Sequence, residues 1–397
     1  MLVPSLLDVQ SRFRSQMPVT PKWAYFDHGA VAPLPEPVRT AIAAWLKEAA
    51  EEGDVPWQNW SQQVERTRLA AAKLVGAEVE EIALVPNTTS GISLVAEGFP
   101  WREGDNVVTL ANEFPSNLYP WLNLTSRGVE MRKVPVDGGR VELSRVEQAI
   151  DKRTRVVSLS WVGFASGWRI DVAAASELCH RRGCLFFLDA IQGLGVFPLD
   201  VQKGGVDFFA ADGHKWLLGP EGAGVLYVRR QHLELLRPLG VGWHSVTASG
   251  GFSSEMNLRP TAARYEGGTQ NMAGMIGLGA SLDLLLELGV KPSSSPVADL
   301  VLSITDYACE RLTSLGAVLL SPRVGEHRSG IVTFQIPGQD PAQIRKALLA
   351  AGIVTSCRGG GVRISPHGYN TREEMDRMIE TLSPRVHAGT APRGRGG

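Results

Sequence analysis

The chain has 397 residues, 44% of them apolar, and carries 40 Lys and Arg against 41 Asp and Glu. That length exceeds one ordinary core, so two domains are expected, and the balanced charge gives no basis for nucleic acid or an acidic polymer as partner. Four scattered cysteines exclude a disulfide framework, and neither a signal peptide nor a run of about 18 apolar residues is present, so a reducing cytoplasm is expected and a membrane partner is not.

Residues 1–20 carry an amphipathic pattern (Leu6, Leu7, Val9, Phe13) that reads as an arm packed on the body. Tyr25-Phe26-Asp27-His28-Gly29-Ala30 then enters a Pro-rich turn, where His28 reads equally as a substrate contact or a turn cap. Helical periodicity covers 36–52 and 57–75. A strand at 82–85 leads into Asn87-Thr88-Thr89-Ser90-Gly91 and a helical pattern over 92–99. Hydroxyls and free N–H groups at a helix N-terminus suit a phosphate, and equally an ordinary cap.

Further strand-like segments lie at 106–111, 129–136, 154–162, 184–189, 206–211 and 223–229, with helical ones such as 171–182 between them. The alternation predicts a mostly parallel sheet with right-handed crossovers, its last strand being the candidate antiparallel member. The strand at 184–189 is apolar until it ends at Asp189. A carboxylate there needs a cationic partner or a capping role, and the protonated ring nitrogen of pyridoxal phosphate is one such partner. Gln192, three residues on, could hydrogen-bond the ring's phenolic oxygen. The strand at 206–211 stops at Asp212-Gly213, and His214-Lys215 follow where open α/β sheets place their ligands. A lysine in that position can form a Schiff base with a carbonyl.

A helical pattern over 271–288 ends at Gly289, a Ser/Pro loop covers 291–296, and a second α+β unit follows. The expected division is an arm at 1–20, a large domain at 21–275, a small C-terminal domain at 276–385 joined by a long helix, and a disordered Gly- and Arg-rich tail at 386–397. Cys179, His180 and Cys184 have no zinc-ligand spacing, so no metal is expected.

On Asp189-x-x-Gln192 and His214-Lys215, and over almost all of the chain from Tyr25 to Thr371, the sequence resembles the class V aminotransferase-fold, pyridoxal phosphate-dependent enzymes. That group contains cysteine desulfurases, kynureninases and isopenicillin N epimerase-like proteins. The resemblance implies an α/β protein of the fold type I class, a large domain with a mostly parallel sheet, pyridoxal phosphate as cofactor, an amino-acid substrate and a homodimer. It makes Lys215 the Schiff-base lysine, Asp189 the ring-nitrogen partner and Gln192 the O3′ contact. Thr88, Thr89 and His214 become phosphate ligands, and Thr269 reaches the phosphate of the neighbouring subunit. Phe114 takes the place of the stacking histidine of desulfurases, as in kynureninase-like members, and Arg363 matches the arginine that pairs with the substrate α-carboxylate.

Departures from the group bear on the reaction. Desulfurases carry a persulfide-forming cysteine on a mobile loop between a strand and an arginine, and residues 352–367 are too few for that loop. Cys357 falls at a strand end and is not assigned as nucleophile. Asp212 stands where relatives often place Ser against the phosphate, and is expected to turn away or to meet a basic group. Trp161 replaces a polar residue near the ring, and both changes suggest an altered substrate pocket. The expected activity is Cα proton removal by Lys215 followed by β-cleavage, a C–S or C–C lyase. Desulfuration, epimerisation and transamination are the alternatives within the family, and a catalytically silent binding protein is the alternative outside it.

Overall fold

The computed structural model describes residues 5–247 and 256–389. The chain begins with α1 (Leu6–Ser15), β1 (Ala24–Tyr25), α2 (Glu36–Glu52) and α3 (Trp57–Val75). An alternating series follows: β2 (Ile82–Val85), α4 (Thr88–Gly98), β3 (Asn106–Leu110), α5 (Tyr119–Asn123), β4 (Glu130–Val134), α6 (Leu143–Ala149), β5 (Thr154–Ser160), α7 (Val172–Arg181), β6 (Leu185–Asp189), β7 (Phe208–Asp212) and β8 (Gly224–Val228). After α8 (Met272–Glu287) come α9 (Pro296–Ser314), β9 (Val318–Leu319), β10 (Val332–Gln335), α10 (Pro341–Ala350), β11 (Ile353–Val354), β12 (Ser356–Arg358), β13 (Gly361–Ile364) and α11 (Arg372–Gly389).

The seven-stranded sheet runs β2-β8-β7-β6-β5-β3-β4. Only β8 is antiparallel to its neighbours, pairing Ile82 with Tyr227 on one side and Phe208 with Val228 on the other. Successive residues of a strand face opposite sides, and both sides are covered, so the strands read as unbroken apolar runs. Val108, Val157, Phe186 and Phe209 pack under the layer holding α3, α7 and α8, whereas Val107, Val156, Phe187 and Phe208 pack under the layer of α4 and α5. β4 is the exposed edge, and its Glu130, Arg132 and Lys133 explain why that segment lacks the apolar run of the others.

A four-stranded antiparallel sheet, β12-β13-β10-β9, lies C-terminal with α9, α10 and α11 around it. β1 crosses to this unit: Ala24 and Tyr25 pair in parallel with Ile353 and Val354, and Ala24 and Phe26 are buried in the C-terminal core. The start of the segment expected in the large domain is therefore stitched into the small one. α8 packs on α2 and α3. The tail expected from 386 also begins inside a helix, since α11 runs to Gly389, and residues 390–397 lie outside the described residues.

Helix α1 is capped by Ser5, whose hydroxyl accepts from the Asp8 N–H. It buries Val9 and Phe13, and Phe13 packs edge-on against His367 and Tyr369 at 5.0 and 5.3 Å. Gln10 donates to the Asn370 carbonyl, so the arm is pinned to the segment leaving β13.

Candidate active site

The C-terminal ends of the parallel strands and the β12–β13 hairpin enclose a cavity of about 330 Å³. One side is furnished by Asn87, Thr88 and Thr89 after β2, Asp189 at the end of β6, and Asp212, His214 and Lys215 after β7. The other side brings Gly29, Phe164, Arg358 and Arg363, and Phe114 also lines the cavity.

Lys215 is buried, and loss of hydration brings its ammonium down to about 8 despite the attraction of Asp189. Its Nζ lies 5.4 Å from the centre of the Phe114 ring. Phe114 is 39% exposed and meets Phe164 edge-on at 5.3 Å, so it is a cavity wall and not a core residue. Asp189 is buried at the strand end, which pushes its carboxyl up to about 6, and Oδ1 accepts from the Ile191 N–H.

Gln192 sits in a relay beneath the cavity. The Trp216 indole N–H donates to its Oε1 at 2.8 Å, and its Nε2 donates to the Gly29 carbonyl at 3.0 Å, which leaves one amide N–H for a ligand. Asn87 caps α4 by accepting from the Ser90 N–H, and the backbone N–H groups of Thr88 and Thr89 start the helix without backbone partners. Thr89 donates to the Ser116 hydroxyl, and the Thr88 hydroxyl accepts from the Asp212 N–H.

Asp212 meets a basic group: its Oδ1 lies 3.0 Å from Nδ1 of His214. The two atoms are not aligned as a hydrogen bond, and neither has another partner. The orphaned Nδ1 of His214 and an uncommitted helix N-terminus on the wall of a 330 Å³ cavity fit a phosphorylated ring better than an apolar ligand, and Asp212, an acceptor, takes no part in holding the phosphate. Thr88, Thr89 and His214 would hold the phosphate, Asp189 the ring nitrogen and Lys215 the aldehyde carbon.

Arg363 is 1% exposed, and its guanidinium is clamped on three sides. It donates to Ser356 Oγ at 3.2 Å, to the Phe164 carbonyl at 2.9 Å and to Asp27 Oδ1 at 3.1 Å. A Cβ on Gly29 would meet Arg363 Cζ at 3.2 Å, so the absence of a side chain there leaves room for the guanidinium. Two N–H groups of Arg363 remain uncommitted beside the cavity.

The structure separates three residues from this group. His28 is fully buried, with Nδ1 donating to the Ser365 carbonyl at 3.0 Å and Nε2 accepting from the Tyr369 hydroxyl at 2.9 Å. Burial holds it well below the usual histidine range, so it is a neutral core residue without a nitrogen left for substrate. Trp161 is buried behind the strand ends near Phe197 and lines a different cavity with Arg169 and Pro198. Thr269 is exposed after Glu266, which pairs with Arg68, and lies outside this chain's own cavity.

Three charged residues near the site were not assigned from sequence. Asp27 partners Arg363, Arg358 lines the cavity mouth, and Glu113 is buried with its carboxyl accepting from the backbone N–H and hydroxyl of Ser160. Burial outweighs those two donors and pushes Glu113 up to about 8, with Asp189 adding like-charge repulsion. A carboxylate just ahead of Phe114 was the available signal for Glu113; nothing in sequence pairs Asp27 with a residue 336 positions away.

Cys179, Cys184 and Cys309 are buried, and burial raises every thiol, Cys184 and Cys309 to about 11. Cys357 is paired opposite Val362 in the β12–β13 hairpin. Its Sγ lies 3.4 Å from the Pro341 carbonyl on α10, whereas its neighbours Ser356 and Arg358 face Arg363 and the cavity. The hairpin turns on Gly359 and Gly360, at φ of 58° and 82°. Among the described residues no group of three or more His, Cys, Asp and Glu is placed to hold a metal, and no helix is long and apolar enough to cross a membrane.

A family model described as aminotransferase class-V matches residues 24–378. A probable cysteine desulfurase of Methanothermobacter thermautotrophicus is 33% identical over 395 residues, covering 93% of this chain and 96% of that protein. The apo structure of a cysteine desulfurase from Thermococcus onnurineus superposes with a TM-score of 0.86 at 27% identity, covering 98% of this chain and 99% of the other. A cystine C–S lyase, solved with its product cysteine persulfide, superposes at 0.85 with 24% identity, covering 93% and 99%, which bears on the fold.

Proposed function

The chain belongs to the aminotransferase class-V family of pyridoxal phosphate enzymes, and on that premise we propose that it is a β-cleaving lyase. In this reading it breaks the C–S bond of a cysteine-type amino acid and passes no sulfur to a cysteine of its own. The observation that carries the reading is the two-residue hairpin between β12 and β13, which stands where desulfurases insert a loop. Cys357 in that hairpin faces α10, and its raised basicity keeps it a thiol.

When bound, pyridoxal phosphate supplies an aldehyde for the substrate amine and a sink for the electron pair released at Cα. With the cofactor bound, Lys215 would hold its aldehyde carbon through Nζ and, once displaced by the substrate amine, would take the Cα proton on that atom; an amine brought down to about 8 is poised for that exchange. Asp189, ionised above about 6, keeps the ring nitrogen protonated, and Gln192 offers its spare N–H to the phenolic oxygen. Phe114 covers the ring without offering a proton. Arg363 fixes the α-carboxylate through its two uncommitted N–H groups, so that the Cα–H bond faces Lys215. The Cβ–S bond then breaks with its electron pair on sulfur, and water converts the three-carbon fragment to pyruvate and ammonia.

The desulfurase names of the relatives favour a second reading, in which Cys357 receives the sulfur. Cys357→Ser and Arg363→Ala separate the two. The lyase reading expects the serine variant to release pyruvate and thiol from S-substituted cysteines at the parent rate, and the arginine variant to lose substrate affinity. An inactive serine variant, with alanine and a persulfide on Cys357 in the parent, overturns it. We place the enzyme in the cytoplasm as a homodimer whose exposed Thr269 reaches the phosphate of the second subunit. Sedimentation should give a dimer, and Thr269→Ala should weaken cofactor binding.

A further inference from the structure

We propose that Arg358 determines specificity by binding an anionic group at the far end of the substrate's leaving group. The preferred substrates are then cysteine-type amino acids whose sulfur substituent itself bears an acid. This assignment rests on the β-cleavage reading above.

The charge balance of the cavity motivates it. Among the six charged or ionisable side chains on its wall, Asp189, Asp212, His214 and Lys215 lie at the strand ends of the large sheet, and Arg358 and Arg363 come from the small one. Arg363 already has a carboxylate, Asp27, at 3.1 Å. Arg358 has no ion pair among the described residues; its single protein contact donates from one terminal nitrogen to its neighbour's carbonyl, Cys357 O, at 2.8 Å. Four of its five N–H donors are therefore open to a ligand. Its charge is felt inside the site, since it lowers the basicity of both Lys215 and Arg363.

An ordinary surface arginine sits on a flexible support, and this one does not. Arg358 ends β12 directly opposite Gly361, one residue from the Gly359-Gly360 turn, and a Cβ on Gly359 would touch Ala165 at 3.2 Å. Its backbone is thus locked between β13 and the segment carrying Phe164. The side chain itself is exposed, and its planar fork matches a carboxylate or sulfinate. Arg363 takes the α-carboxylate with its two uncommitted N–H groups, which leaves Arg358 without an anion. A second anion, carried beyond Cβ on the departing sulfur, occupies the other and leaves with the thiol.

An isosteric pair tests this: S-carboxymethyl-L-cysteine and its neutral amide, S-carbamoylmethyl-L-cysteine. Binding to the holoenzyme is read from the cofactor absorbance, and cleavage from pyruvate. The parent should bind the acid roughly two- to fivefold more tightly than the amide, the range for an exposed charge pair. In Arg358→Gln the acid-to-amide ratio should fall to near one, and in Arg358→Glu below one. Equal binding of the two compounds by the parent overturns the proposal. So does an Arg358→Gln variant that weakens both equally, because that assigns the residue to the α-carboxylate. If the preference appears and depends on Arg358 but neither compound yields pyruvate, the specificity assignment stands and the lyase reading falls. Pyruvate from both without discrimination gives the reverse.

Discussion

Replacing Asp27 with Asn should make the protein less stable and its grip on amino acids tighter. Asp27 and Arg363 are both buried, with Oδ1 and a terminal guanidinium nitrogen 3.1 Å apart. At that separation and an effective dielectric of about 20, the two charges attract by about 5 kcal/mol. Asparagine keeps the acceptor and removes the charge, and Arg363 keeps its bonds to Ser356 and the Phe164 carbonyl, so the loss is smaller than the full attraction. Breaking a buried pair from one side costs about 3–5 kcal/mol, and the lower end applies here. The guanidinium left without a counter-charge then draws on the substrate's α-carboxylate. If the carboxylate restores half of the loss, linkage requires affinity to rise by about 1.5 kcal/mol, roughly tenfold. Glycine is the ligand of choice, having no β-substituent to lose. Its Kd for parent and variant holoenzyme is read from the cofactor spectrum, and guanidinium denaturation with and without glycine supplies the stabilities. A variant that is destabilised and binds glycine more weakly refutes the reasoning, and shows that Asp27 acts by aiming Arg363 and not by competing for it.

Three more outcomes follow from the site. Capture of pyridoxal phosphate by apo-enzyme needs the neutral amine of Lys215, so its rate should rise about tenfold per pH unit below about 8 and level off above; a rate that keeps climbing to pH 10 would mean that burial does not depress this lysine. Glu113 binds its proton up to about pH 8 in the fold and loses it near 4.5 when unfolded, so it erodes stability as pH rises between those values. Glu113→Gln should flatten that slope and be the more stable protein at pH 8.5 in denaturant titrations, and unchanged slopes count against a protonated Glu113. Gly29→Ala must displace the Arg363 guanidinium by a few tenths of an ångström, so KM should rise several-fold while the absorbance of bound cofactor stays at the parent value.

Much of the architecture was legible because burial on both sheet faces leaves long apolar runs, and solvent on one helix face leaves a 3.6-residue period. The helices read at 36–52 and 57–75 are Glu36–Glu52 and Trp57–Val75. Asp189, His214 and Lys215 were legible for a related reason: polar residues that interrupt such runs at their C-terminal ends must face a ligand or a partner. His28 reads the same way locally, and it is buried because 365–369 fold back over it from the other end of the chain. Trp161 follows β5 as a site residue would, yet Gly193 gives it room to turn behind the strand ends. Arg363 stands apart in sequence by its match to a carboxylate-binding arginine, but that it has a counter-charge while Arg358 has none shows only when the distant Asp27 is seen beside it.

The pinning of α1 has a practical consequence for anyone handling the gene. Phe13 fills the space beneath His367 and Tyr369, and His367 in turn holds the Trp216 carbonyl, the residue next to Lys215. A deletion that trims the first fifteen codons as a dispensable leader would therefore remove the floor under the lysine's own turn. A chain that began at Met17 would lack Gln10 and Phe13, and with them the contacts that hold 367–370 against the Trp216 carbonyl.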